Sequence, residues 1–353
     1  MKAAAAVILA AGMGTRMRSR LAKVLHPVAG RPMLEHVIQA VQAVGISRTV
    51  VVVGHQADRV RAEIKADVEY VIQREQLGTG HAVMQAAEAL SGYEGPLLVT
   101  YGDTPLYRAE TYRQLIEEHT ASEAAATLLS TLVDDPTGYG RVLRDSGGEF
   151  LAVVEERDIE TQAVRAIKEI NTGSYCFDAP LLFDMLSLVK NDNQQGEYYL
   201  PDVLGLLKQR GMRVGISVLA DATEALGIND RRQLAMAEAV IRRRVNERWM
   251  EAGVTIVDPE TTYIHPEVEI GRDTTIYPFT MIEGKTVIGE ACRIGPHARI
   301  RDCVIQDGAV VESAVAIDSH IGQGAIVEPY TVLSPGSKVA PGERVRAFET
   351  RKD

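Results

Sequence analysis

The sequence predicts an α/β chain in two parts. Residues 1–227 read as a Rossmann-like domain with a mostly parallel sheet, and residues 252–353 as a β-helix of hexapeptide repeats, with a linker helix over 228–251. Two observations predict this. Short apolar runs alternate with helical apolar spacing in the first part, which is the pattern of βαβ units. In the last third isoleucine recurs every six residues, at Ile264, Ile270, Ile276, Ile282, Ile288, Ile294 and Ile300, the signature of stacked short strands that each supply one aliphatic side chain to a common core.

In chain order, residues 3–9 form a short apolar run that suits a strand buried on both faces. Residues 32–44 carry Leu34, Val37, Ile38 and Val41 at helical spacing. Residues 49–53 and 68–72 read as strands, 80–90 as a helix and 96–100 as a strand. Asn229 and Asp230 open a long helix with an apolar stripe of Leu234, Ala237, Ile241, Val245 and Trp249, which Gly253 ends. Beyond Ile300 the six-residue phase slips. Ile305, Val311 and Ile317 continue it, then after a second slip Ile321, Val327, Leu333, Val339 and Val345.

A net charge of −10 argues against nucleic acid and acidic membranes as partners, because both select a basic surface. No uncharged apolar run is long enough to span a bilayer, so no membrane insertion is expected. Three cysteines, Cys176, Cys292 and Cys303, show neither metal-ligand spacing nor an even disulfide framework. They fit a reducing, cytoplasmic setting. The apolar N-terminus runs straight into a glycine loop, which fits a strand better than a cleaved leader.

The first strand feeds Leu9-Ala10-Ala11-Gly12-Met13-Gly14-Thr15-Arg16-Met17. Glycines let backbone N–H groups approach a phosphate. The dinucleotide pattern fails because position 17 is Met, and the Walker pattern fails because no Gly-Lys-Ser/Thr follows. A bare Gly-x-Gly carries little weight; Arg16 and Lys23 add to it, since phosphoryl and nucleotidyl transfer depend on positioning and on neutralised charge. Tyr101-Gly102-Asp103 follows a strand directly, where open α/β sheets bind ligands. Asp103 there is a candidate Mg²⁺ ligand or a turn residue. Gln73 and Leu77-Gly78-Thr79-Gly80 precede a helix and are suited to reading a base edge or to plain turn chemistry. Gly138-Tyr139-Gly140-Arg141, Glu155 and Ile170-Asn171-Thr172-Gly173 place polar groups suited to sugar hydroxyls near strand ends.

In order along the chain, the opening through Arg16-Met17, Lys23-Val24-Leu25-His26, Gly30-Arg31-Pro32-Met33, Gln76-Leu77-Gly78-Thr79-Gly80-His81-Ala82, Tyr101-Gly102-Asp103, Gly138-Tyr139-Gly140-Arg141, Glu169-Ile170-Asn171-Thr172-Gly173 and Gly227-Ile228-Asn229-Asp230 resemble the sugar nucleotidyltransferases. More closely they resemble the bacterial GlmU family, bifunctional N-acetylglucosamine-1-phosphate uridylyltransferases and glucosamine-1-phosphate acetyltransferases. The likeness covers essentially the whole chain. It implies a left-handed parallel β-helix, a homotrimer, and a reaction of UTP with N-acetylglucosamine 1-phosphate to give UDP-N-acetylglucosamine, a precursor of peptidoglycan and lipopolysaccharide.

The resemblance also implies roles. Leu9, Ala10, Ala11, Gly12 and Gly14 would line the nucleotide site, with Arg16 and Lys23 on the phosphates. Gln73, Gly78 and Thr79 would contact uracil. Tyr101, Gly102, Gly140, Glu155 and Asn171 would surround ribose and amino sugar. Asp103 and Asn229 would bind Mg²⁺. Two departures stand out. Ala22 occupies the place of a family proline before the lysine, so Lys23 is expected to be less rigidly held. The chain also stops at Asp353, short of the family's acetyl-transfer histidine, which His265, His297 and His320 do not match; acetyltransferase activity is expected to be absent. Two other readings share these motifs: transfer to glucose 1-phosphate with UTP or TTP, and a non-catalytic sugar-nucleotide-binding scaffold.

Overall fold

A computed structural model of the chain describes residues 4–351. Ala3, in the expected first strand, and residues 352–353, in the expected β-helix, lie outside the described residues. The chain divides into two compact units, Met1–His26 with Arg31–Leu234, and Pro27–Gly30 with Ala235–Asp353.

The first unit is built on one nine-stranded sheet. Its strands are β1 (Ala5–Ala10), β2 (Arg48–Val53), β3 (Glu69–Ile72), β4 (Pro96–Tyr101), β5 (Ala126–Leu132), β6 (Arg141–Arg144), β7 (Phe150–Val154), β8 (Glu169–Asp178) and β9 (Val214–Leu219). The spatial order is β9-β5-β8-β4-β1-β2-β3, with β6 and β7 as a hairpin off β8. β1 lies between two parallel neighbours, with Val7 opposite Val50 on one side and Val99 on the other. Both of its faces are covered, so all six of its residues are buried, as its unbroken apolar run requires. β8 is antiparallel to both β4 and β5, so along the main path the sheet is parallel on either side of that reversed strand, and in the hairpin β7, antiparallel to β6, runs the same way as β8. The pairing of β8 with β5 is irregular between Asn171 and Tyr175, around Gly173 at φ +83°.

Helix Met33–Ala43 packs Leu34, Val37, Ile38 and Val41 into the core on one side of the sheet. The helix expected over 80–90 is shorter, Thr79–Met84. Beyond it the bonds tighten to three-residue closures, Gln85 N–H to Ala82 O, Ala86 N–H to Val83 O and Ala87 N–H to Met84 O, which do not continue an α-helix. Helix Arg231–Glu251 begins where Asp230 Oδ1 accepts the N–H groups of Arg232 and Gln233, both at 2.9 Å, an N-cap. Among the described residues no helix is long and apolar enough to cross a membrane.

In the second unit, three all-parallel sheets of six, six and five short strands form the left-handed β-helix. Equivalent aliphatics stack from coil to coil, as in Ile264–Ile282–Ile300–Ala316–Leu333. This register corrects one expected position. Ala316, fully buried, holds the core slot assigned to Ile317, and Ile317 pairs opposite Arg301. The cause is two successive five-residue steps, Val311 to Ala316 to Ile321, which shorten that coil and move the aliphatic slot back by one. Two residues before the stacked aliphatics sit small buried side chains such as Thr274, Thr286, Cys292 and Cys303. Thr274 Oγ1 donates to Gly289 O at 2.8 Å, which satisfies a carbonyl of the neighbouring coil. The two cysteines are thus corner residues, and both are free thiols. Asn246, on the long helix, is fully buried and donates to Pro259 O and Thr262 O at 2.9 and 3.0 Å, fixing the first coil against it.

Candidate active site

The site forms where β1 and β4 end, at the carboxyl edge of the parallel strands. After Ala10 the chain turns through Gly14 at φ +61° into a short 3₁₀ turn, Thr15–Met17. A second 3₁₀ turn, Lys23–Leu25, follows. The two turns touch: a Cβ on Gly14 would stand 2.6 Å from Lys23 Cβ. Glycine is therefore required there both by the positive φ and by the close approach. Gly102, just past β4, donates its N–H to Leu9 O at 2.9 Å, so the Tyr101-Gly102-Asp103 corner is bonded to the end of β1.

Three distant segments meet above this corner. Lys23 Nζ donates to Asn229 Oδ1 at 2.7 Å and forms an ion pair with Asp103. Arg16 Nη2 donates to the same Asn229 oxygen at 2.8 Å. Asp103 and Asn229 thus aim two hard oxygen donors at one cationic group, and Arg16 and Lys23 concentrate positive charge locally in a chain of net charge −10. Hard oxygens that converge in this way suit a divalent cation. Among the described residues no group of three or more His, Cys, Asp or Glu forms a denser metal cluster.

Beside this group lies a cavity of about 350 Å³, lined by Leu9, Ala10, Ala11, Gly12, Gly14, Lys23, Gln73, Gly78, Thr79, Tyr101 and Asp103 among others. Its far wall is rigid. Gln73, buried, donates its amide to Gly78 O at 3.1 Å. Gly78 has φ +105°, and a Cβ there would lie 2.6 Å from Tyr198 O. Gly80 N–H donates to Tyr198 O at 2.7 Å, and Thr79 Oγ1 accepts from Leu200 N–H at 3.0 Å. The wall presents fixed backbone and amide dipoles, suited to a flat polar ring.

Gly140, Glu155 and Asn171 do not line this cavity; they form a second cluster. Asn171 N–H donates to Gly140 O at 2.8 Å, its amide donates to Tyr175 Oη at 2.7 Å, and a Cβ on Gly140 would lie 3.0 Å from Glu155 Oε1. Burial first, then the carboxylates of Asp158 and Asp202, push the Glu155 carboxyl up to about 7, while a hydrogen bond from Asn171 pulls the other way. Tyr101 links the two clusters. Its ring lies against Gly173, where a Cβ would stand 2.3 Å from Cε2, and burial and then the Glu155 charge push its hydroxyl well above the usual range.

The structure thus brings Arg16, Lys23, Asp103 and Asn229 together beside one cavity, with Gly102 beneath it and Gly140, Glu155 and Asn171 adjoining through Tyr101. Met13, Val24, Gln76, Ala82 and Glu197 also line the cavity. Glu197 gave no sequence signal; it arrives on the segment that pairs with residues 77–80.

Residues 6–166 match the MobA-like NTP transferase domain family, and residues 259–348 match the GMPPB C-terminal domain family. The bifunctional protein GlmU of an Exiguobacterium species is 53% identical over 325 residues, 92% of this chain and 72% of the relative. The chain belongs to the GlmU family. GlmU of Halalkalibacterium halodurans and of Enterococcus faecalis are each 48% identical over the same 92% of this chain, which spans 71% of either relative. Membership makes the chain a nucleotidyltransferase of the sugar-phosphate uridylyltransferase type. The clustered cations, the paired oxygens and the glycine loop are the parts such chemistry uses.

Proposed function

We propose that this chain joins UTP to N-acetylglucosamine 1-phosphate, forming UDP-N-acetylglucosamine and pyrophosphate, with residues 1–227 carrying the chemistry, 228–251 linking and 252–353 serving assembly. The observation that carries the reading is the meeting of Arg16, Lys23, Asp103 and Asn229 beside a cavity floored by the glycine loop. Leu9, Ala10, Ala11, Gly12 and Gly14 seat the nucleotide, and Gln73, Gly78 and Thr79 read uracil. Tyr101, Gly102, Gly140, Glu155 and Asn171 surround ribose and amino sugar.

A phosphate oxygen of the sugar phosphate bonds to the α-phosphorus of UTP as the bond from that phosphorus to pyrophosphate breaks. The attacking oxygen is already anionic near neutral pH, so the site needs to orient it more than deprotonate it. Arg16 and Lys23 hold the triphosphate and offset the repulsion between two anions. Asp103 and Asn229 would hold Mg²⁺, a hard cation suited to a few protein oxygens beside a phosphate site. Bound there, Mg²⁺ supplies electrostatic stabilisation of phosphoryl oxygens.

Assembly as a homotrimer is part of the proposal. Tyr263, Met281, Val315 and Val332 stand in one outward row along a β-helix sheet, each more than a third exposed and the row broken only by Arg299 between Met281 and Val315, and exposed apolar side chains grouped in this way favour self-association. Light scattering at micromolar concentration is expected to give three times the 38.5 kDa chain; a monomer refutes it. The buried free thiols Cys176, Cys292 and Cys303 support a cytoplasmic setting.

The deciding experiment is pyrophosphate release with UTP, Mg²⁺ and a panel of sugar phosphates. The reading requires N-acetylglucosamine 1-phosphate to be preferred. Equal turnover of glucose 1-phosphate or TTP would replace the substrate assignment, and no turnover with any of them would replace the reaction.

A further inference from the structure

Glu224 is a buried carboxylate that the proposed reaction does not use. It sits in the short 3₁₀ turn Ala222–Ala225, between β9 and Asn229, and is 4% exposed. Its Oε2 accepts the backbone N–H of Arg108 at 2.9 Å and the Thr111 hydroxyl at 2.6 Å, and the Arg108 guanidinium lies 3.5 Å from its other oxygen. Arg108 is the N-cap residue of helix Ala109–Ala121, and its own side chain makes no capping bond. Glu224 therefore caps that helix from 116 positions away, with the negative charge where the helix dipole favours it.

The consequence lies in what the two bonded segments carry. Asp103 lies five residues before Arg108, and Asn229 lies five residues after Glu224. A second clamp joins the same segments closer to the site, where Ile228 N–H donates to Asp103 O at 2.9 Å. Asp103 and Asn229 thus belong to two strips of chain held together at both ends, by Glu224 at one and by the Ile228 bond at the other. We propose that Glu224 is a positioning residue that sets the spacing of the Asp103 and Asn229 oxygens and so the affinity of that pair for a divalent cation. The inference rests on the proposed metal role of those two residues.

Mn²⁺ binding to the folded protein in the presence of UDP-N-acetylglucosamine, read by electron paramagnetic resonance, tests it. Partners bonded directly to metal ligands cost about 10–100-fold in affinity when removed; Glu224 acts one step further out, so Glu224→Ala is expected to weaken Mn²⁺ binding several-fold, up to about tenfold. Glu224→Gln, which keeps an oxygen for the Arg108 N–H, should restore most of it. Binding of the sugar nucleotide without metal should stay unchanged in both variants. Thr111→Val, which deletes one of the two short bonds without touching the carboxylate, should give a smaller loss in the same direction and serves if Glu224→Ala fails to fold. Wild-type Mn²⁺ affinity in Thr111→Val, or in a folded Glu224→Ala, overturns the inference. The metal reading fails separately: there, Asp103→Ala would bind Mn²⁺ as the wild type does.

Discussion

Lys23 Nζ and Asn229 Oδ1 lie 2.7 Å apart although 206 positions separate them in the chain. The contact joins the glycine-loop end of the first unit to the segment that enters the long helix, and Asp103 completes it from the end of β4. Lys23→Ala and Asp103→Ala should each lower pyrophosphate release by on the order of 10²–10³ in kcat, the scale of losing one electrostatic group at a transition state. The far-UV circular dichroism should not change, because neither side chain is part of the core. If Asp103→Ala keeps full Mg²⁺-dependent turnover, the metal assignment is wrong.

Gly14→Ala tests the loop by geometry alone. The new Cβ would lie 2.6 Å from Lys23 Cβ at φ +61°, and the left-handed backbone itself costs a non-glycine residue about 1–2 kcal/mol. Lys23 must then shift. Misplacement by about 1 Å can cost on the order of 10² in rate, so kcat/KM should fall by about that factor. Gly12→Ala is the stability control, since a Cβ there meets nothing within 4 Å; its melting temperature should match the wild type. Equal melting losses in the two variants would contradict the steric argument.

Ala22 should accept proline. It is the residue before Lys23, with φ −54° and ψ 138°, inside the range a pyrrolidine ring fixes. Ala22→Pro is expected to stabilise the first unit by about 0.4–1 kcal/mol, through the unfolded chain, and to raise kcat modestly by stiffening the Lys23 turn. Urea unfolding and pyrophosphate release check the two effects separately. A destabilised variant would show that the buried side of Ala22 has no room for the ring.

Glu155 gives the stability a defined pH dependence. Its folded value of about 7 lies above the ordinary glutamate value of ~4.3, so between those limits the folded protein keeps a proton that the unfolded chain has released. The contribution of Glu155 is therefore most favourable below pH ~4.3 and is lost as pH rises through about 7, with a slope no steeper than ~1.4 kcal/mol per pH unit. Glu155→Gln removes this term, so the variant should gain on the wild type from pH 5 to 7 and hold a constant advantage above. Urea midpoints at pH 5, 6, 7 and 8 measure it. A difference that is flat across the series would mean that Glu155 titrates normally.

Much of this was legible in the sequence because it is periodic or local. The six-residue period needs only one aliphatic per strand, so it announced the β-helix, and the all-apolar run of β1 announced a strand with both faces covered. The antiparallel placement of β8 was not legible. Its residues, Glu169–Asp178, mix buried polar side chains such as Asn171, Thr172 and Ser174 with apolar ones, and neither kind encodes the direction in which the strand runs. The site divided in the same way. Arg16, Lys23 and Asp103 sit beside glycines or strand ends, where local reasoning finds them. Asn229 came only through family resemblance, because the contact that gives it meaning spans two hundred positions, and Glu197 and Glu224 left no mark in composition or spacing.

The one core position misread from the period gives the last prediction. Ile294 is fully buried, stacked between Ile276 and Val311, whereas the core slot near Ile317 belongs to Ala316. Ile294→Ala should cost the β-helix about 2–5 kcal/mol, the transfer loss plus the cavity it leaves. Ile317→Ala removes the same atoms from a partly buried side chain that lies opposite Arg301, outside the stacked aliphatic slot, and should cost clearly less because no enclosed core cavity is left. Had the six-residue period run on unbroken through Ile317, both substitutions would open cavities of the same kind. Urea unfolding of the two variants therefore discriminates the registers: matched losses support the unbroken period, and a large loss confined to Ile294→Ala supports the two five-residue steps.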